Sequence, residues 1–215
     1  MDKATLLSHI DHTALQPCID LEAIMTLCRE AEEYQVAAAC IPPNYVGPAA
    51  ATFPRLNICT VIGFPLGYNT TATKVFEARE ALSQGAQEID MVLALGALKS
   101  GELNQVVEEI AAVKEVCGNR ILKVIIETCY LSRQEKLAAC QCVAQGGADY
   151  LKTSTGFGSK GAVLEDMALF KEHLPPEVKI KAAGGLSTVA DMTDFLLAGA
   201  ERLGTSKGVK LLCNL

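Results

Sequence analysis

Short apolar runs alternate with longer amphipathic segments along the whole chain, and this alternation limits the possible folds more than any other feature. Eight runs have the length and apolar content of buried strands. Between them, segments such as NQVVEEIAAVKEV place apolar residues at helical spacing, with charged residues on the opposite face. We predict the eight strands within residues 9–15, 36–42, 57–64, 88–95, 121–128, 149–154, 178–183 and 201–206.

A small repeat supports this count of strands. Gly85, Gly147 and Gly199 are each followed by alanine, and each stands where a helical segment ends and a strand begins. Glycine is the usual residue in the left-handed conformation that stops a helix. Eight β/α units in 215 residues predict an α/β fold, a single (β/α)8 TIM barrel over residues 1–215. A doubly wound open sheet is the alternative that the pattern leaves open.

Composition narrows the range of partners and compartments. The net charge of −6 argues against nucleic acid as a partner. No run reaches the roughly 18 apolar residues of a membrane span, and the first residues contain no apolar signal core. We therefore expect a cytoplasmic protein without membrane contact, whose nine cysteines are free thiols.

Charged residues stand on the strand faces that should point into the barrel. If the apolar faces meet the helices, then side-chain alternation directs Asp90, Lys123, Lys152 and Lys181 inward. A buried charge is costly unless it is paired or loses its proton. Lys152 and Lys181 come near the carboxyl ends of neighbouring strands, where barrel active sites lie. Lys123 is a substrate-binding candidate, or it neutralises Asp90 or Glu127.

Two neighbouring lysines suit one particular chemistry. A lysine nucleophile must be neutral, and at a reference pKa near 10.4 only about one amine in 2,500 is free at pH 7. Lowering that pKa to about 7 takes roughly 4–5 kcal/mol. A second ammonium group at about 4 Å supplies roughly 4 kcal/mol at an effective dielectric near 20, and burial acts in the same direction. The pair is therefore suited to forming a Schiff base with a carbonyl compound.

Two glycine-containing loops indicate an anion site. AAGGLST (182–188) follows the seventh strand and LGTSKG (203–208) follows the eighth. The loops after these two strands commonly bind phosphate in TIM barrels. A metal site is not expected, because alternation places His9 and Asp11 on one strand face and His12 on the other. We interpret Cys40 as a packing residue.

Seven motifs, in order along the chain, resemble those of the deoxyribose-phosphate aldolase family. They are IDHTALQP, GFPLGYNTTATKVFEA, GAQEIDMVLALGALKSG, LKVIIET, YLKTSTGF, KAAGGLST and GAERLGTSKG, and the resemblance extends over about residues 9–210. The resemblance implies a (β/α)8-barrel lyase that needs no metal or other cofactor. It reversibly joins acetaldehyde and glyceraldehyde 3-phosphate into 2-deoxyribose 5-phosphate, as part of deoxyribonucleotide catabolism.

The resemblance also implies roles for individual residues. Lys152 would be the Schiff-base lysine, Lys181 the second lysine beside it, and Asp90 the acid/base partner. The remaining residues are assigned to the substrate, the first four of them to its phosphate: Gly184, Gly185, Gly204, Ser206, Asp11, Thr155 and Gly156.

The sequence departs from the family at Gln16, where lysine is common, and in both predicted phosphate loops. Ser187 stands where relatives usually have a basic residue, and Lys207 stands where serine is frequent. We therefore predict that Lys207 faces the phosphate in place of the missing cation at position 187. A sugar-phosphate isomerase and a non-catalytic sugar-phosphate sensor are the competing interpretations. A homodimer and a homotetramer are both compatible with the sequence.

Overall fold

The computed structural model describes residues 1–213, and its strands form a closed parallel barrel in sequence order. Strand β8 pairs with β1, with Leu203 opposite Ile10, which rules out an open sheet and confirms the predicted TIM barrel. Each strand lies within a predicted apolar run. The strands are β1 Ile10–Thr13, β2 Ala38–Ile41, β3 Ile58–Ile62, β4 Glu88–Val92, β5 Ile121–Ile125, β6 Tyr150–Lys152, β7 Lys179–Ala183 and β8 Arg202–Thr205.

Helices surround the barrel in the described part of the chain. They are α1 Lys3–Ser8, α2 Leu21–Glu33, α3 Val46–Thr52, α4 Thr71–Ser83, α5 Leu95–Lys99, α6 Leu103–Cys117, α7 Arg133–Gln145, α8 Leu164–His173, α9 Val189–Leu197 and α10 Gly208–Cys213. Short 3-10 turns occupy Pro43–Tyr45 and Thr128–Tyr130. Within residues 1–213, none of these helices has the length and hydropathy needed to cross a membrane.

Local sequence explains where several helices begin. The Asp20 side chain accepts a hydrogen bond from the backbone of α2, and Ser132 with Glu135 forms a reciprocal capping box on α7. The main apolar core lies between the strands and the helices. A smaller apolar cluster contains Ala38, Cys40, Cys59 and Val61. Cys40 is completely buried there, as expected of a packing residue.

Strand register brings the predicted charged residues to corresponding levels. Asp90 on β4 pairs with Lys123 on β5, and Lys152 on β6 pairs with Lys181 on β7. Residues paired in parallel strands point to the same side of the sheet. Local alternation and global register therefore agree in directing these four side chains towards the barrel axis.

Candidate active site

Asp90 lies at the centre of a buried ion network. Its Oδ2 atom accepts hydrogen bonds from Lys152 Nζ at 2.8 Å and from Lys181 Nζ at 2.7 Å. Its Oδ1 atom accepts one from Lys123 Nζ at 2.8 Å. Because Lys152 and Lys181 contact the same oxygen, their nitrogens are no further apart than those two distances combined. The predicted lysine pair is present, with a carboxylate between its members.

Asp11, Glu88 and Arg202 are the other charged members of this network. Arg202 Nη1 donates to Asp11 Oδ1 at 2.5 Å and to Glu88 Oε2 at 3.0 Å. Lys123 also contacts Glu88 Oε2, at 2.5 Å, and Lys181 donates to Asp11. All of these side chains are almost entirely buried. Buried ion pairs are tolerated only when nearly every charge has a partner, and here each carboxylate has at least two.

The charges of this network do not cancel. Three carboxylates face three cations that do not line the cavity described below, and Lys152 is a fourth cation that does. With a neutral Lys152 amine the network is electrically balanced, and with an ammonium group it carries one surplus positive charge. Surplus buried charge is unfavourable. Lys152 is therefore the cation that the network carboxylates do not need for charge balance.

Burial and Coulomb attraction oppose one another at the other ionisable groups. Burial alone raises the pKa of Asp90, but Lys123, Lys152 and Lys181 hold it well below its usual range. Burial lowers the pKa of Lys181, but Asp11 and Asp90 outweigh it and raise that pKa above its ordinary value. Lys181 is therefore a fixed positive charge at neutral pH, in contact with the same carboxylate oxygen as Lys152.

A cavity of about 420 Å³ opens beside Lys152, at the carboxyl ends of the strands. Its walls include Thr155, Gly156 and Phe157 after β6, together with residues of the loops after β7 and β8. Among the described residues that line it, only Lys152 and Lys207 are charged. The cavity therefore joins an amine to a positively charged wall, as an anionic carbonyl substrate requires.

The predicted phosphate loops form that wall. Gly184, Gly185, Gly204, Ser206 and Lys207 all line the cavity. Gly184 has φ of +80°, and a Cβ atom built there would come within 3.0 Å of the Gly161 backbone, so a side chain fits poorly on both counts.

Ser187 also lines the cavity, but its contacts lie with the next helix. Its N–H donates to Asp191 Oδ2 at 2.9 Å and its hydroxyl to the same atom at 3.2 Å. The Thr188 N–H also donates to that oxygen. The backbone N–H groups of Ser187 and Thr188, at the start of α9, thus already donate to the Asp191 carboxylate. In this arrangement, the glycines and the β8 loop are better placed than Ser187 to receive an anion.

Comparison with known proteins identifies the family. The family model described as "DeoC/LacD family aldolase" matches residues 1–211. The chain is 54% identical to "Deoxyribose-phosphate aldolase" of Clostridium botulinum, over 99% of this chain and 96% of that protein. It is 50% identical to the protein of the same name from Clostridioides difficile, over 97% and 96% of the two chains. This chain belongs to the DeoC/LacD family of aldolases.

Solved structures agree with this assignment. The deoxyribose phosphate aldolase of Aeropyrum pernix, described as having a unique tetrameric structure, superposes with a TM-score of 0.92. It is 30% identical, with 99% of this chain and 92% of that chain covered. A protein described as "QR15, an Aldolase" gives a TM-score of 0.94 at 38% identity, over 97% and 95% of the two chains. The family resemblance inferred from the motifs is confirmed, and the chain is an aldolase, a lyase.

The aldolase structure places two of the predicted substrate-binding residues away from the cavity wall. Asp11 and Lys123 are completely buried; their ion pairs are with network partners, and Lys123 Nζ also contacts Cys59 Sγ at 3.4 Å. The sequence left open whether Lys123 binds substrate or neutralises Asp90 or Glu127. In the structure Lys123 pairs with Asp90 and Glu88, and not with Glu127. Direct contact of Asp11 or Lys123 with substrate stays a prediction.

Sequence reasoning missed Arg202 as a member of the network. Arg202 alternates with Gly204 on β8, so the same inward-facing rule would have found it. Sequence reasoning also gave no role to Phe157, whose ring packs edge-on against Phe64 with centroids 5.4 Å apart. No periodic pattern identifies such a contact, because it joins loops after two different strands.

The histidines that could bind a metal contact other protein groups instead. His9 Nδ1 contacts the Glu201 carbonyl at 2.8 Å, while His12 Nε2 contacts Glu30 at 2.8 Å. Ligand atoms of Cys40, Cys59 and Asp90 lie within 4.8 Å of one another. However, three lysine side chains already contact Asp90, and the positive charges of Lys123 and Lys181 oppose binding of a further cation.

Proposed function

We propose that this aldolase reversibly cleaves 2-deoxy-D-ribose 5-phosphate to acetaldehyde and D-glyceraldehyde 3-phosphate through a Schiff base on Lys152. The names of the bacterial relatives, at 54% and 50% identity over nearly the whole chain, support the substrate. The observation that carries the mechanism is the position of Lys152. It is the one cation that the buried network does not need for charge balance, and it also lines the cavity.

In the cleavage direction, the neutral Lys152 amine attacks the aldehyde carbon of the open-chain sugar. Loss of water leaves an iminium ion. A base removes the proton of the hydroxyl at the third sugar carbon, and the bond between the second and third carbons breaks. Its electron pair moves towards the iminium nitrogen, which gives an enamine and releases glyceraldehyde 3-phosphate. Protonation of the enamine and hydrolysis then release acetaldehyde and return the free amine.

The residues around Lys152 are suited to proton handling in these steps. Asp90 contacts the nucleophile directly, and its low pKa keeps it ionised. With a bound water, the carboxylate would carry protons between substrate atoms. Lys181 keeps its charge because of Asp11 and Asp90, so its main contribution is electrostatic.

The phosphate end of the substrate would lie against Gly184, Gly185, Gly204 and Ser206. Backbone N–H groups of such loops bind phosphate well, and Lys207 adds a positive charge at the same wall. Binding energy from the phosphate would position the aldehyde carbon over Lys152. Thr155 and Gly156 complete the predicted substrate contacts.

Borohydride reduction in the presence of acetaldehyde tests the mechanism. An aldolase of this kind should gain one stable ethyl group on Lys152, located by peptide mapping, and Lys152→Ala should lose both the adduct and the cleavage activity while remaining folded. An adduct on Lys181, or none at all, would contradict the assignment. A sugar-phosphate isomerase or a sensor of sugar phosphates has no such adduct, so the experiment also separates these alternatives.

The wider context of the enzyme follows from this substrate. Cleavage of a deoxyribose phosphate belongs to deoxyribonucleotide breakdown in the cytoplasm, and neither nucleic acid nor membrane is part of the proposal. The tetramer described for the Aeropyrum pernix protein makes a homo-oligomer a reasonable expectation for this chain. Sedimentation analysis would distinguish a homodimer from a homotetramer.

A further inference from the structure

Glu127, two residues after the end of β5, has an uncommon backbone conformation. Its φ of +48° and ψ of +68° lie in the left-handed region, which non-glycine residues adopt at a cost. The neighbouring amides of Ile126 and Thr128 donate to the carbonyls of successive residues, Lys152 and Thr153. Glu127 is therefore an extra residue, a bulge, opposite the end of the strand that carries Lys152. Such bulges redirect a side chain.

The redirected carboxylate is buried without a cation. Glu127 is only 1% exposed, and within residues 1–213 no lysine, arginine or histidine nitrogen lies within 4 Å of it. Its hydrogen bonds come instead from Thr155. The Thr155 N–H donates to Oε1 at 3.2 Å and to Oε2 at 3.3 Å, and the Thr155 hydroxyl donates to Oε2. A buried polar group is costly unless it is hydrogen-bonded, and here Thr155 supplies the described hydrogen bonds to the carboxyl group.

Thr155 connects Glu127 to the edge of the cavity through hydrogen bonds. Its hydroxyl oxygen accepts the Phe157 N–H at 2.9 Å, so one hydroxyl links the carboxylate to the loop. Gly158 lies so close that a Cβ atom there would come within 3.1 Å of Glu127 Cδ. Lys152, Thr155, Gly156 and Phe157 all line the cavity. One buried carboxylate thus fixes the segment between the amine and the aromatic edge.

We propose that Glu127 is a positioning residue of the aldolase. By binding both donors of Thr155, it holds the segment 152–157 so that the Lys152 amine and the Gly156–Phe157 wall keep a fixed separation. The proposal rests on Lys152 as the nucleophile. Glu127 does not touch the reacting atoms; it acts through Thr155, and the backbone strain at residue 127 is retained because this contact requires it.

Glu127→Gln tests the proposal with an almost isosteric change. The carboxamide offers one acceptor and places an NH2 donor against the N–H and O–H donors of Thr155. Loss of a hydrogen bond to a charged group corresponds to a factor of about 10 to 100. We expect kcat for deoxyribose 5-phosphate cleavage to fall by about ten-fold or more. KM should change less than about three-fold, because the phosphate wall does not involve Glu127. Glu177→Gln, on the exposed connection before β7, is the matched control.

Thr155 variants complete the test and remain informative if Glu127→Gln does not fold. Thr155→Val removes the hydroxyl and should lower kcat comparably, whereas Thr155→Ser should recover most of that loss. The double variant Glu127→Gln with Thr155→Val should be little worse than either single variant, because both break one contact. A kcat within two-fold of wild type in folded Glu127→Gln, an effect confined to KM, or additive losses would each refute the proposal.

Borohydride trapping separates this proposal from the proposed function. In Glu127→Gln, acetaldehyde should still be trapped on Lys152, but at a rate reduced by about ten-fold. An unchanged trapping rate would show that Glu127 does not position the amine. Absence of an adduct in the wild-type protein would instead overturn the nucleophile itself, whatever the behaviour of the Glu127 variants.

Discussion

Replacing Lys181 with methionine should shift the pH dependence of the enzyme. Lys181 and Lys152 contact the same oxygen of Asp90, at 2.7 Å and 2.8 Å. Without Lys181, the three network carboxylates face only Lys123 and Arg202 as fixed cations, and an ammonium group on Lys152 then restores the balance. The acid limb of activity should therefore move in the alkaline direction.

The geometry sets the size of this shift. A unit charge at about 4 Å contributes about 4 kcal/mol at an effective dielectric near 20, equivalent to about three pH units. Reorganisation around the new methionine will reduce this value, so we expect a displacement of at least about one unit. Lys181→Arg should leave the acid limb closer to wild type, because arginine retains the charge.

The assay is kcat/KM for deoxyribose 5-phosphate cleavage between pH 5 and 9, with the rate of borohydride trapping measured over the same range. Lys74→Met is the matched control, since Lys74 is also fully buried and pairs with Glu109 at 2.8 Å, outside the network around Lys152. Both variants break a buried ion pair, which typically costs about 3–5 kcal/mol of stability. Only Lys181→Met should move the acid limb. A Lys181→Met profile that overlays wild type apart from its height would refute the charge-balance reasoning.

Two further predictions concern the phosphate wall and acid stability. Lys207→Ser should raise KM for deoxyribose 5-phosphate about ten-fold, if a charge-assisted bond of about 1.5 kcal/mol is lost. Cleavage of unphosphorylated deoxyribose should barely change. The control variant is Lys210→Ser, on the exposed side of α10. Equal effects on both sugars would show that Lys207 does not contact the phosphate. Burial raises the pKa of Asp11, but Lys181, Lys123 and Arg202 lower it from 3.8 to about 2. Because the folded pKa is the lower one, the resulting stability of about 2 kcal/mol is present above pH 4 and disappears as pH falls towards 2. Urea unfolding should therefore show the stability difference between wild type and Asp11→Asn shrinking by about 1 kcal/mol between pH 7 and pH 3, and a constant difference would contradict this role.

Local periodicity was sufficient to predict the barrel and much of its site. Every strand lies within a predicted apolar run, because a buried parallel strand is largely apolar and its helix needs an amphipathic face. Alternation along single strands also predicted that Asp90, Lys152 and Lys181 point inward, since successive side chains always leave a strand on opposite sides. The glycine loops after β7 and β8 were recognisable for a similar reason, because a backbone that approaches an anion needs small residues.

The pairing of charges was decided only by the tertiary structure. Asp11 on β1 meets Lys181 on β7, and Glu88 on β4 meets Arg202 on β8, because closure of the barrel brings distant strands onto a common axis. Lys123 could have neutralised Glu127, which shares its strand face in a regular strand. The left-handed backbone at Glu127 instead directs that carboxylate to Thr155, in the loop after β6. Single-strand patterns fix which side a residue faces, whereas its partner depends on strand stagger, closure and local irregularities that only the folded barrel determines.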